Sequence, residues 1–171
     1  EQSGVIRSSA ISDNGHWVYD TTDYGTIEGE LGGVVQEKNT CTVLTAIREL
    51  LSLGYKITPQ AVKTGFAQVT GLTGLMGRWQ IIQRDPLIIC DAGHNVGGWE
   101  YLSKQWDQTP CHALHIVIGM VNDKDIHGVL KLLPKKAIYY FTNASVERAL
   151  PAEEFALQAS EHGLKGTIHS S

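Results

Sequence analysis

The chain has 171 residues, a formal net charge of −4, and 42% hydrophobic against 19% charged residues. That length holds one domain, or one domain plus part of another, and the composition is that of a folded chain. The acidic balance offers no basic stripe for nucleic acid, no apolar run approaches the ~18 residues of a membrane span, and no signal-peptide pattern opens the chain.

A cytoplasmic protein is expected. Cys41, Cys90 and Cys111 are odd in number and show no CxxC spacing, so they are read as buried free thiols in a reducing compartment. Neither they nor the seven histidines show a zinc spacing.

Residues 5–11 alternate as a strand, Asp13-Asn14-Gly15 is a turn signal, and His16-Trp17-Val18-Tyr19 reads as the return strand. Residues 20–33 carry four glycines and few apolar positions, the pattern of short edge strands and turns. An isolated hairpin does not hold itself together in water, so this segment reads as the end of something larger. Val43, Leu44, Ile47, Leu50 and Leu51 then mark an amphipathic helix over residues 40–53, with Asn39 at the N-cap and Gly54 just past the end. Thr58-Pro59 starts a second helix, with Val62, Phe66 and Val69 on its face. Three glycines in residues 71–77 mark the best domain boundary.

From Arg78 onward strands and helices alternate. Residues 79–83 are a short strand, and residues 87–90 an apolar run expected to be a buried parallel strand. Strands also fall at residues 115–120, 138–141 and 165–168. Trp99, Leu102 and Trp106 mark one intervening helix, and Ile126, Val129, Leu130 and Leu133 the next. A third carries Ala152, Phe155, Ala156 and Ala159, with Glu153 and Glu154 in its first turn. Strands separated by helices imply parallel crossovers, so the second half is predicted to be a Rossmann-like α/β domain.

No GxxxxGK[ST] loop, GxGxxG fingerprint or GxSxG elbow occurs. The candidate chemistry therefore rests on polar residues at element ends. Asp91 suits ribose hydroxyls, or else caps its own loop; His94 suits an anionic ligand, or else a backbone partner. Arg78, next to the glycine linker, forks onto phosphate or carboxylate, or is a solvated surface charge. Asn39 is a helix cap or a ligand contact. Asn95 reads as the cap of the following helix, and Gly97-Gly98 as either an anion-facing turn or a plain one. Asp123-Lys124-Asp125 ends another strand and reads first as a solvated charged loop.

Five segments occur in one order: Leu31-Gly32-Gly33 with Gln36 and Asn39; Gly77-Arg78; Asp91-x-x-His94-Asn95; Gly119-Met120-x-x-Asp123-Lys124-Asp125; and Arg148-Ala149-Leu150-Pro151-Ala152-Glu153-Glu154. Together they resemble the C-terminal portion of the folylpolyglutamate synthase/dihydrofolate synthase family, within the Mur ligase superfamily. The chain departs from that family's pattern in the order Ala92-Gly93, in Val96 and Met76 where prolines are usual, and in the absence of a histidine before Gln36.

The resemblance implies an α/β architecture: a Rossmann-like C-terminal ligase domain at residues 77–171, preceded at residues 1–76 by the β-strand and two-helix tail of a central ATPase domain. The phosphate loop, the magnesium ligands and the pterin site would precede Glu1, and a last strand and helix would follow Ser171. It implies an ATP- and Mg2+-dependent ligase joining L-glutamate to dihydropteroate or a folate through an acyl phosphate. Such an enzyme would be a monomer whose partners are small molecules rather than nucleic acid or membrane, and these residues alone would be inactive. Asn39 would face the adenine of ATP, Arg78 its phosphates and Asp91 its ribose, with His94 near the reacting groups. The other readings are a peptidoglycan Mur ligase and a non-catalytic α/β binding domain.

Overall fold

The computed structural model describes residues 5–170. As the alternation and the Asp-Asn-Gly turn predict, β1 (Ile6–Ile11) pairs antiparallel with β2 (Trp17–Thr21), which pairs antiparallel with β3 (Gly25–Gly29). Period-2 alternation sends Trp17, Tyr19 and Ile27 to one face of this sheet. There they meet Leu44 of α1 (Val35–Ser52) and Val62 of α2 (Pro59–Ala67). Thr58 caps α2 by accepting the Ala61 N–H at 3.1 Å, with Pro59 opening the helix as its fixed φ allows.

α1 begins earlier than its apolar spacing suggests, and Asn39 is not its cap. The helix starts at Val35 with no side-chain cap. Gly33, at φ +88°, turns the chain, and its carbonyl accepts both the Gln36 N–H (3.1 Å) and the buried Trp17 Nε1–H (3.0 Å). The Trp17 side chain of β2 thus anchors the turn that opens the helix in place of a side-chain cap, and Asn39 falls one turn inside. Beyond Leu44 the apolar face is only partly covered, since Val43, Leu50 and Leu51 stay 37–44% exposed.

The glycine-rich stretch opens with a helical turn, α3 (Val69–Thr73), and leads to β4 (Gln80–Arg84) and β5 (Leu87–Cys90). The expectation of a buried parallel strand at β5 fails. Asp85-Pro86 folds the apolar run back onto β4 as an antiparallel two-stranded hairpin, and Leu87 and Ile88 are 46% and 42% exposed. A short apolar run fixes neither the partner nor the direction of a strand. The thiols depart from expectation with it: all three are free, but Cys90 and Cys111 are exposed and only Cys41 is half-buried.

The chain forms two compact units divided between Ala92 and Gly93, and the β4–β5 hairpin clusters with the first. Arg84 Nη2 donates to the Asn14 carbonyl at 2.7 Å, and a Cβ on Gly32 would lie 2.8 Å from the Trp79 carbonyl.

In the second unit α4 (Val96–Asp107), α5 (Ile126–Leu130) and α6 (Ala152–Glu161) alternate with β6 (His115–Ile118), β7 (Ile138–Phe141) and β8 (Gly166–Ile168). The three strands form a parallel sheet in the order β6-β7-β8, the α/β arrangement predicted. Tyr139 and Phe141 of β7 pack with Phe155 of α6, Trp99 of α4 and Val129 and Leu130 of α5 in one continuous core. No helix among the described residues is long and apolar enough to cross a membrane.

Candidate functional site

The Trp17–Gly33 anchor sets the first turns of α1 over the inner face of the β1–β3 sheet. Between them lies a cavity of about 450 Å³, walled by Leu31, Val43, Val62 and Phe66 and closed at one side by Tyr19. Its polar lining comes from Gln36, Asn39 and Thr40. Tyr19 is bonded to Thr40, and burial pushes its phenol up to about 12, so the hydroxyl stays neutral and keeps its proton. Asn39 Nδ2 donates to Gln36 Oε1 at 3.1 Å. Apolar walls with amide groups at one edge suit a flat, nitrogen-bearing ring.

Arg78 and Asp91, thirteen residues apart in sequence, come together at the base of the β4–β5 hairpin. The Ala92 N–H donates to the Gly77 carbonyl at 2.8 Å, and the Trp79 N–H donates to Asp91 Oδ2 at 2.7 Å. Trp79 has φ +49°, a left-handed backbone that a bulky residue adopts at a cost of about 1–3 kcal/mol. The charge-assisted bond from Asp91 offsets that cost. Arg78, between Gly77 and Trp79, is half-buried, spends one N–H on the Gly77 carbonyl at 3.3 Å, and lines a cleft of about 380 Å³ with His16, Glu30 and Arg84. Gly32 packs directly on this corner, so Leu31-Gly32-Gly33, Gly77-Arg78 and Asp91 are spatial neighbours. Leu31 and Leu75 line both the cleft and the cavity that holds Asn39.

His94 lies at the start of the second unit, one residue after Gly93, and is exposed. Asn95 caps α4 by accepting the Gly98 N–H at 2.8 Å, as its position predicts, so that glycine amide is not offered to an anion. At the carboxyl end of β6 two further segments meet. Val121 bridges to Ala149, the Asn122 N–H donates to the Arg148 carbonyl at 3.0 Å, and Arg148 Nη1 pairs with Asp123 Oδ2 at 3.3 Å. Asp125 caps α5 through the Gly128 N–H at 2.8 Å. Asp123 and Asp125 are therefore partnered rather than simply solvated.

A family profile described as "Mur ligase, glutamate ligase domain" matches residues 77–171, more than half of the chain. The chain belongs to the Mur ligase family. The dihydrofolate synthase/folylpolyglutamate synthase of Escherichia coli K12 is 33% identical over 134 residues, 78% of this chain and 30% of that protein. Among solved structures, Mycobacterium tuberculosis folylpolyglutamate synthase complexed with ADP and AMPPCP matches with a TM-score of 0.79 at 25% identity, over 96% of this chain and 38% of that one. Escherichia coli FolC in complex with DHPP and ADP matches with a TM-score of 0.64 at 28% identity, over 95% and 37%. The chain thus spans about a third of the length of these relatives.

In this Mur ligase chain sequence reasoning gave no site role to two residues, Gln36, which it named only within the segment over residues 31–39, and Trp79. Gln36 is buried to 5% exposure beside Asn39, and its signal was a polar residue on the sheet-facing side of an amphipathic helix. Trp79 was read as an ordinary strand residue, and nothing in the sequence marks its left-handed backbone. Among the described residues no three His, Cys, Asp or Glu side chains gather as a set that could hold a metal ion.

Proposed function

We propose that the chain is the C-terminal part of an ATP-dependent ligase that joins L-glutamate to dihydropteroate or a folate. In the reaction the substrate carboxylate attacks the terminal phosphorus of ATP, giving an acyl phosphate and ADP. The glutamate amine then attacks the acyl carbon, phosphate departs, and an amide bond remains. Arg78 steadies phosphate oxygens, Asp91 accepts from ribose hydroxyls, and Asn39 meets the adenine edge. His94 helps order the reacting groups. Magnesium would supply charge neutralisation at the phosphates, and its ligands belong to the part of the enzyme outside these residues.

One observation carries this reading: the Arg78 guanidinium lines a cleft, the Asp91 carboxylate holds the loop beside that arginine through the Trp79 N–H, and the cleft shares Leu31 and Leu75 with an apolar cavity edged by the Asn39 amide. A nucleotide needs these three chemistries in that order. Residues 1–76 then form the tail of the ATPase domain and residues 77–171 the ligase domain, with the β4–β5 hairpin belonging by family to the second while packing with the first. The uncovered apolar side of α1 supports the first assignment.

The test is glutamate-dependent ADP release by the intact protein, supplied in turn with dihydropteroate, a folate and a nucleotide-linked muramoyl substrate. Release with either of the first two is expected. Release only with the third would replace this reading by that of a peptidoglycan ligase. These 171 residues alone are expected to show none.

A further inference from the structure

A guanidinium sits on a long stem, and every torsion left loose spreads its charge over positions that touch nothing. The backbone that delivers it therefore decides how much of its binding strength is realised. Arg78 stands between two residues in the left-handed region, Gly77 at φ +68° and Trp79 at φ +49°. A Cβ at position 77 would also lie 3.2 Å from both the amide nitrogen and the Cβ of Ala92, so the turn is built around a glycine. Such a backbone is not held by local preference, and each side of Arg78 has to be held from outside.

Both holds are present. After Arg78, the Trp79 N–H donates to Asp91 Oδ2 at 2.7 Å. Before it, the Gly77 N–H donates to Gln80 Oε1 at 3.0 Å, and the Gly77 carbonyl accepts the Ala92 N–H at 2.8 Å. Gly77 is buried, so its N–H needs a partner, and the Gln80 side chain supplies one by reaching back three residues from the first position of β4. The flip of this amide is fixed by chemistry: a backbone N–H can only donate, so the oxygen of Gln80 and not its nitrogen faces Gly77. Gln80 thereby closes a small ring through Gly77, Arg78 and Trp79, and residues 77–80 together form one wall of the cleft of about 380 Å³.

We propose that Gln80 is a positioning residue for the phosphate contact: by accepting the Gly77 N–H it fixes the turn that presents Arg78 to the cleft. This rests on the reading of Arg78 as the group that meets phosphate oxygens. Gln80 acts through Arg78, by narrowing the directions in which the guanidinium stem leaves the backbone.

The experiment is a double-mutant cycle on the intact enzyme, reading kcat/KM for ATP in the wild type, Gln80→Met, Arg78→Ala and the combined variant. Methionine keeps the length of glutamine and removes the acceptor. Gln80→Met is expected to lower kcat/KM about three- to tenfold, the weight of one hydrogen bond between neutral groups, and to add nothing once Arg78 is replaced by alanine. No fall in the single variant would overturn the proposal. So would the same further fall in the Arg78→Ala background, which would mean that Gln80 touches the nucleotide itself or only supports the fold. A second readout isolates the phosphates: inhibition by ADP should weaken in Gln80→Met while inhibition by adenosine, which carries none, holds, and equal weakening of both would contradict the proposal. If Arg78→Ala alone leaves kcat/KM for ATP unchanged, the reading of Arg78 on which the proposal stands is overturned instead. For a Gln80→Met protein that folds poorly the wild type decides: its Gly77 amide proton should exchange slowly with solvent, and fast exchange would overturn the proposal.

Discussion

The two compact units solve opposite problems. Among the described residues the second gathers thirteen buried apolar side chains into one core, stacked from Tyr139 and Phe141 through Phe155, around a parallel sheet. The first, though longer, buries six, keeps Thr21, Gln36 and Thr40 inside, and leaves two open cavities and a left-handed tryptophan. Dense apolar packing gives rigidity, whereas cavities, buried amides and strained backbone lower stability where ligands are met. On the proposed reading, the first unit carries the recognition groups at the expense of its own core.

The largest effect expected from this contrast is in the second unit. Phe155→Ala should cost about 3–5 kcal/mol, because the ring is fully buried with its edge on Phe141. Hydrogen exchange should then accelerate at β7 amides while β2 amides stay protected. Equal loss in both units would mean that they unfold together.

Next comes the Arg78 corner. Gly32→Ala places a methyl 2.8 Å from the Trp79 carbonyl, so the backbones must part, at about 1–3 kcal/mol. Amide shifts of residues 77–79 should move while those of β6 to β8 do not. Asp91→Ala removes the acceptor for the Trp79 N–H and should cost about 1–2 kcal/mol, read as faster exchange at that amide. Protection that survives this change would mean that Asp91 does not hold the loop.

The distribution of errors in the sequence reading follows the same contrast. The second unit was legible because Trp99, Val129, Leu130, Phe155 and Ala159 fall on helical spacing and the strands are short apolar runs between them. The Thr58-Pro59 start and the Asn95 cap were legible because the signal is local. Asn39 was misplaced as a cap because the true anchor, Trp17 on Gly33, is a tertiary hydrogen bond. β5 was misread because strand pairing is decided by distant chain, and Trp79 because a left-handed backbone comes from its bond to Asp91 rather than from its own propensity. Arg78 and Asp91 were nameable singly, but their meeting at Gly77 was visible only in three dimensions.

The smallest effect expected is on the alkaline side. Tyr19 and Tyr139 are buried neutral phenols, both held above the ordinary value of 10.0 by desolvation. A folded pKa raised above the unfolded one contributes stability that is complete below pH 10 and is lost as pH rises through the folded value. Both units should therefore weaken above about pH 10. Tyr19→Phe should flatten that decline for β2 amides alone, and Tyr139→Phe for β7 amides alone.

Among the described residues Arg78 has one hydrogen bond, to the neighbouring Gly77 carbonyl, so that its removal should leave the fold nearly untouched. The decisive measurement is the KM for ATP and the kcat of the intact enzyme carrying Arg78→Ala, with unfolding followed in parallel. If Arg78 steadies phosphate oxygens, kcat/KM for ATP falls by about ten- to a hundredfold, the loss of a charge-assisted hydrogen bond, while stability changes by less than about 0.5 kcal/mol. Unchanged ATP kinetics in a well-folded variant would contradict it.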